Sequence, residues 1–170
     1  MKIAVIGLGL IGGSIAKAIK GKTNHVVYGF DADSATGLKA AADGAIDRLL
    51  EEEDYPLIDM LFVCLYPLAT VYFIKENAHR LKKGCIVTDV CGIKQFIEDS
   101  VEEFLEENGI HYVGGHPMAG KEMSGYDHSD AGMLEGKSYI LTKSELTDEA
   151  AYKEVKKLVA SFGCVVMETS

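Results

Sequence analysis

Apolar positions along this chain follow two rhythms that take turns. Short runs of strand length occupy residues 2–6, 25–30, 59–65, 85–88, 110–113, 138–142 and 164–167. Between them, longer stretches carry small and apolar residues at helical spacing: 10–19, 34–42, 68–81, 93–108 and 147–162. The first rhythm suits buried strands, and the second suits helices with one face laid on a sheet. Stop signals agree with this parsing. Lys82-Lys83-Gly84, Gly109 and Gly163 close three of the helices, and Thr147, ahead of Glu149 and Ala150, predicts the N-cap of the last.

Strands alternating with helices of this length predict an α/β fold: a doubly wound, mostly parallel sheet with helices on both faces. The 170 residues, 48% of them hydrophobic, suffice for one such domain spanning 1–170. Residues 114–137 break the rhythm. They are rich in Gly, His, Asp and Ser and too long for a plain connection, so a functional loop is expected there.

Charge narrows the function classes. A formal net charge of −9 argues against a nucleic-acid or anionic-membrane surface, both of which need clustered Lys and Arg. The acidic groups at 51–54 and 98–107 read as solvated helix faces and loops. The cysteines at 64, 85, 91 and 164 show neither metal-ligand spacing nor a disulfide framework, so reduced thiols in a cytoplasmic protein are expected. The longest apolar stretch, 58–74, contains Asp59 and Pro67 and reads as a strand running into a helix rather than a membrane span. Met1-Lys2 leads straight into a strand, with no targeting segment expected.

Two motifs carry chemistry. The first is Gly7-Leu8-Gly9-Leu10-Ile11-Gly12, set between a predicted strand and a predicted helix. Gly7 permits the tight turn, Gly9 lets a pyrophosphate approach the backbone, and Gly12 lets helix and strand pack closely, which is the Rossmann fingerprint. Asp31 closes the second strand about 19 residues beyond Gly12, the spacing of a ribose 2′-hydroxyl ligand. A carboxylate there repels a 2′-phosphate, and Ala32 beside it is no phosphate-holding Arg. NAD is therefore expected over NADP.

The second motif is the run from His116 to Gly125, His-Pro-Met-Ala-Gly-Lys-Glu-Met-Ser-Gly, just after a predicted strand. Histidine moves protons well near neutrality, and Pro117 favours an extended conformation for the residue before it. His25 and His79 lie at element edges, His111 begins a strand, and His128 sits farther along the loop, so His116 is the candidate base.

These motifs resemble prephenate dehydrogenases and the related arogenate dehydrogenases. The resemblance rests on Gly7 to Ser14, on Val87-Thr88-Asp89-Val90 with Lys94 beyond, and above all on residues 114–125. It implies oxidative decarboxylation of prephenate to 4-hydroxyphenylpyruvate on the route to tyrosine, with NAD taking hydride and His116 taking the hydroxyl proton. Lys121 and Glu122 are then candidate substrate contacts, Lys121 favouring prephenate's ketoacid carboxylate. Ser124 is a candidate orienting partner for His116, alongside a backbone carbonyl.

Two departures stand out. Family members often carry a serine that steadies the catalytic histidine where this chain has Gly92. The family also has an all-helical C-terminal domain that makes the dimer and supplies cations for the substrate. Here Arg occurs only at 48 and 80, outside the expected site. The chain is thus expected to be the cofactor domain of a longer, homodimeric enzyme, binding NAD with little turnover alone. The competing readings are an arogenate dehydrogenase, a β-hydroxyacid dehydrogenase-like or imine-reducing enzyme, and a non-catalytic NAD-sensing module.

Overall fold

The computed structural model describes residues 1–170. Its centre is a six-stranded parallel sheet with spatial order β3-β2-β1-β4-β5-β6. The strands are β1 (Lys2–Ile6), β2 (Val26–Phe30), β3 (Arg48–Leu49), β4 (Met60–Val63), β5 (Ile86–Asp89) and β6 (His111–Val113). The helices are α1 (Leu10–Lys22), α2 (Ser34–Ala42), α3 (Pro67–Asn77), α4 (Lys94–Glu107) and α5 (Glu149–Ser161).

Both faces of the sheet are buried, as apolar runs without polar alternation require. Along β1, Ile3 and Val5 join one core with Ile15 and Ile19 of α1 and Tyr152 and Val155 of α5. Ala4 and Ile6 point the other way, into a second core with Ile74 of α3 and Ile97, Val101 and Leu105 of α4. The last three recur every four residues, so one stripe of an otherwise acidic helix is apolar. Burying each such side chain contributes about 1.5–3 kcal/mol.

The fold departs from expectation in a second sheet, of order β7-β8-β9, made by Gly115–Pro117, Ser138–Thr142 and Val165–Thr169. β7 runs antiparallel to β8, and β8 runs parallel to β9 through α5. A single sheet was the expectation, but Gly114 and Gly115 let the chain leave β6 sharply. A Cβ on Gly114 would lie 2.2 Å from Thr142 Oγ1, and one on Gly115 would lie 2.8 Å from the Asp89 carbonyl oxygen. Only bare backbone fits that crossing, which lays β7 over the end of β5. The loop expected at 114–137 therefore begins as a strand. The cap of α5 also differs: Asp148 accepts from the Ala151 amide, whereas Thr147 accepts from Ser144.

Candidate functional site

β1 has β2 on one side and β4 on the other, so the crossovers part at its carboxyl end. That is where an open α/β sheet leaves a crevice. The crevice is present, a cleft of about 610 Å³. After β1 it is walled by Gly7, Gly9, Leu10, Ile11 and Gly12, and after β2 by Asp31. Cys64 to Pro67 follow β4, Val90 to Gly92 follow β5, and Ser124 and Gly125 close the rim.

The glycine turn has the shape a phosphate needs. Gly7 has φ +87°, and its amide donates to the Phe30 carbonyl at 2.8 Å, turning the chain back over β2. A Cβ on Gly12 would stand 1.7 Å from the Gly7 carbonyl oxygen, so helix and turn touch backbone to backbone. Around Gly9 a Cβ would meet nothing within 4 Å; the space is open cleft. Asp33 and Asp148 cap α2 and α5, but no side chain caps α1 at Gly9, and its first intrahelical donor is the Gly13 amide. The earlier amides are left for an anion at the positive end of the helix. These residues fit a nucleotide diphosphate.

Asp31 lies at the rim with both carboxylate oxygens fixed. Oδ2 accepts from the Leu8 amide at 2.8 Å, and Oδ1 accepts from the Asp33 amide at 2.9 Å. Each oxygen keeps a lone pair for a ribose hydroxyl. Leu8 itself differs from the expectation that the whole turn lines the site: its side chain is wholly buried in the core, and its amide is spent on Asp31.

His116 sits in the middle of β7, half-buried, opposite Ile140 of β8. A Cβ on Gly92 would be 3.2 Å from both Cε1 and Nε2 of the ring, so Gly92 is both cleft wall and backing for the imidazole. The base candidate thus packs on a residue, Gly92, that lines the same cleft as the glycine turn. Neither ring nitrogen is hydrogen-bonded within the chain: Ser124 lines the cleft but does not bond the ring, and no backbone carbonyl does so. Burial, and then the Lys94 ammonium, lower the His116 pKa from its ordinary value, against an opposing pull from Asp89. The shift favours the neutral ring, the form that accepts a proton.

Lys121 and Glu122 are exposed and do not line the cleft; the Lys121 ammonium donates to the His128 carbonyl at 2.9 Å. Arg48 and Arg80 are engaged elsewhere, beside Asp54 and Glu52. The segment expected as a functional loop is anchored at its far end. The Asp130 amide donates to Ser14 Oγ at 2.9 Å, the Lys17 ammonium donates to the Ser129 carbonyl at 3.0 Å, and Ser129 packs on Gly13.

Sequence reading missed the wall formed by Cys64, Leu65, Tyr66 and Pro67. The signal was available, since they follow β4 at the carboxyl edge of the sheet. All four cysteines are free thiols, and burial pushes the Cys64 thiol far above its ordinary value, so it is inert wall. No helix is long and apolar enough to cross a membrane.

Residues 15–168 match the family model described as prephenate dehydrogenase, nucleotide-binding domain. The prephenate dehydrogenase of Bacillus subtilis is 33% identical over 174 residues, covering 99% of this chain and 46% of its own length. The chain spans about half the length of the curated relatives it matches. Among solved structures, prephenate dehydrogenase from Aquifex aeolicus in complex with hydroxyphenyl propionate and NAD+ superposes with a TM-score of 0.88 at 29% identity, over 100% of this chain and 60% of that one. Synechocystis arogenate dehydrogenase has the same TM-score of 0.88 over the same shares of the two chains, at 24% identity, which speaks for the fold alone.

Proposed function

Because the chain belongs to the prephenate dehydrogenase family, matching its nucleotide-binding domain, we propose that it binds NAD and forms half of the active site of an enzyme that converts prephenate to 4-hydroxyphenylpyruvate. The observation that carries this reading is that Gly92, on which the His116 ring packs, lines the same cleft as the glycine turn. His116 stands against Gly92 on one wall, and the glycine turn forms another. The Aquifex relative, bound to an aromatic acid together with NAD+, supports the same pairing of ligands.

NAD, when bound, accepts the hydride. The uncapped start of α1 holds its diphosphate, Gly9 leaves room for it, and Asp31 receives the ribose hydroxyls while repelling a 2′-phosphate. Neutral His116 takes the hydroxyl proton from the ring carbinol as hydride leaves the same carbon. The bond to the ring carboxylate then breaks, its electrons complete the aromatic ring, and carbon dioxide departs. Aromatisation drives the reaction, so the protein's tasks are positioning and removal of one proton.

A substrate with two carboxylates calls for cations that this chain does not direct into the cleft: both arginines are engaged elsewhere, and Lys121 is tied to its own loop. Those cations are assigned to a further domain of the full-length enzyme, together with dimerisation. The free thiols suit a cytoplasmic setting.

The test is turnover by the full-length protein with prephenate and arogenate as rival substrates. His116→Asn should lower kcat about 10²–10⁴-fold with prephenate, the range for losing a general base. Retained turnover would remove His116 from this role, and preference for arogenate would reassign the substrate.

A further inference from the structure

Asp89, at the carboxyl end of β5, is wholly buried and ionically paired, yet none of its hydrogen bonds goes to the cofactor turn. Its bonds converge instead on the surroundings of His116. Oδ2 accepts from the Cys91 amide at 2.9 Å, fixing the turn whose next residue, Gly92, backs the imidazole. Oδ1 accepts from the Gly115 amide at 3.4 Å, immediately before His116, and from the Tyr112 hydroxyl at 2.9 Å. The Lys94 ammonium, two residues beyond Gly92 and 13% exposed, completes the set by pairing with Oδ2.

We propose that Asp89 and Lys94 are positioning residues for His116: the carboxylate clamps the two backbone segments that flank the imidazole, and the ammonium holds a fixed positive charge beside it. The ring itself makes no hydrogen bond within the chain, so its placement depends on these walls. A charge pair this buried is retained only when further hydrogen bonds satisfy it, and Asp89 has three besides the ammonium.

Two charges act on the ring: Lys94 from α4 disfavours the imidazolium, and Asp89 from β5 favours it. The Cys91 thiol on the same turn is kept protonated by burial and contributes no charge. β8, packed against β7, sets the apolar Ile140 opposite the ring. The importance of the pair to catalysis rests on His116 being the base; its control of the ring does not.

The experiment is an NMR titration of the ring-labelled histidines in this chain, with His116 assigned through His116→Gln. Lys94→Met should move the His116 midpoint upward, because the opposing charge is gone and a bare carboxylate remains. Lys94→Arg should restore the original midpoint. Asp89→Asn should move it downward and speed hydrogen exchange at the Gly115 amide. If Lys94→Met fails to fold, Asp89→Asn alone carries the test, through its downward midpoint and the faster exchange at the Gly115 amide. A midpoint unchanged in the folded variants overturns the proposal. Loss of the dehydrogenase reading would show instead as no turnover of prephenate or arogenate by the full-length protein, and loss of the base role as turnover that survives His116→Asn, with the titration shifts unaffected in either case.

Discussion

The Leu8 amide donates to Asp31 Oδ2 at 2.8 Å, joining the glycine turn after β1 to the end of β2. The acid proposed to receive the ribose is therefore oriented by the same turn proposed to receive the diphosphate. Asp31→Asn keeps an acceptor oxygen but loses the charge. It should weaken NAD binding about ten-fold, the scale of one charge-assisted hydrogen bond, and narrow the preference over NADP. Calorimetric titration of the chain with both nucleotides measures this; an unchanged ratio would mean that Asp31 does not discriminate.

Gly9 and Gly12 separate binding from folding. Gly9→Ala adds a methyl to open cleft, so thermal stability should hold while NAD affinity drops. Gly12→Ala drives a methyl to within 1.7 Å of the Gly7 carbonyl oxygen. Overpacking of this kind costs about 1–3 kcal/mol and should lower Tm by roughly 5 °C. Equal Tm losses in the two variants would contradict this division.

At position 92 the side chain decides how the imidazole sits. Gly92→Ala places a methyl 3.2 Å from Cε1 and Nε2, so the ring must retreat by a few tenths of an ångström. In the full-length enzyme kcat should fall several-fold with KM little changed. Gly92→Ser puts a hydroxyl within reach of Nε2 and should recover part of that loss. Identical kcat values for both variants would show that the hydroxyl does nothing here.

The pH dependence follows from the direction of the His116 shift. The pKa lies below its ordinary value of 6.5, chiefly through burial, and the neutral ring is the working form. The rate should be flat above that value and fall as the solution becomes more acidic. Stability moves the same way: the unfolded chain takes up the proton first, so His116's contribution is full above 6.5 and is lost as pH drops through the folded-state value. A pH–rate profile that stays level from pH 8 to 5 would speak against the base.

Much of this architecture was legible because its signals are local. The apolar runs of β1, β4 and β5 and the four-residue stripe of α4 follow from burial alone. The glycine turn declared itself by its place between strand and helix. What stayed hidden depends on distant partners. β3, two residues long, exists only because Tyr28 and Gly29 offer it an edge. β7 depends on β8, more than twenty residues later. Asp89 read as one residue in a motif; its four donors come from positions 91, 94, 112 and 115, which only the fold brings together. Leu8 misled because a turn residue can lend its amide to the site's frame and its side chain to the core.

The segment running from β7 towards β8 is bolted to α1 through Ser14, Lys17 and Gly13, whereas Lys121 and Glu122 project from its tip. Base and tip answer to different constraints. Alterations near Ser129 and Asp130 will be felt by the nucleotide, while the apex can change its chemistry without loosening the cofactor's seat. Residues 121 and 122 are therefore a short stretch of chain that can be rewritten with little effect on the turn after β1.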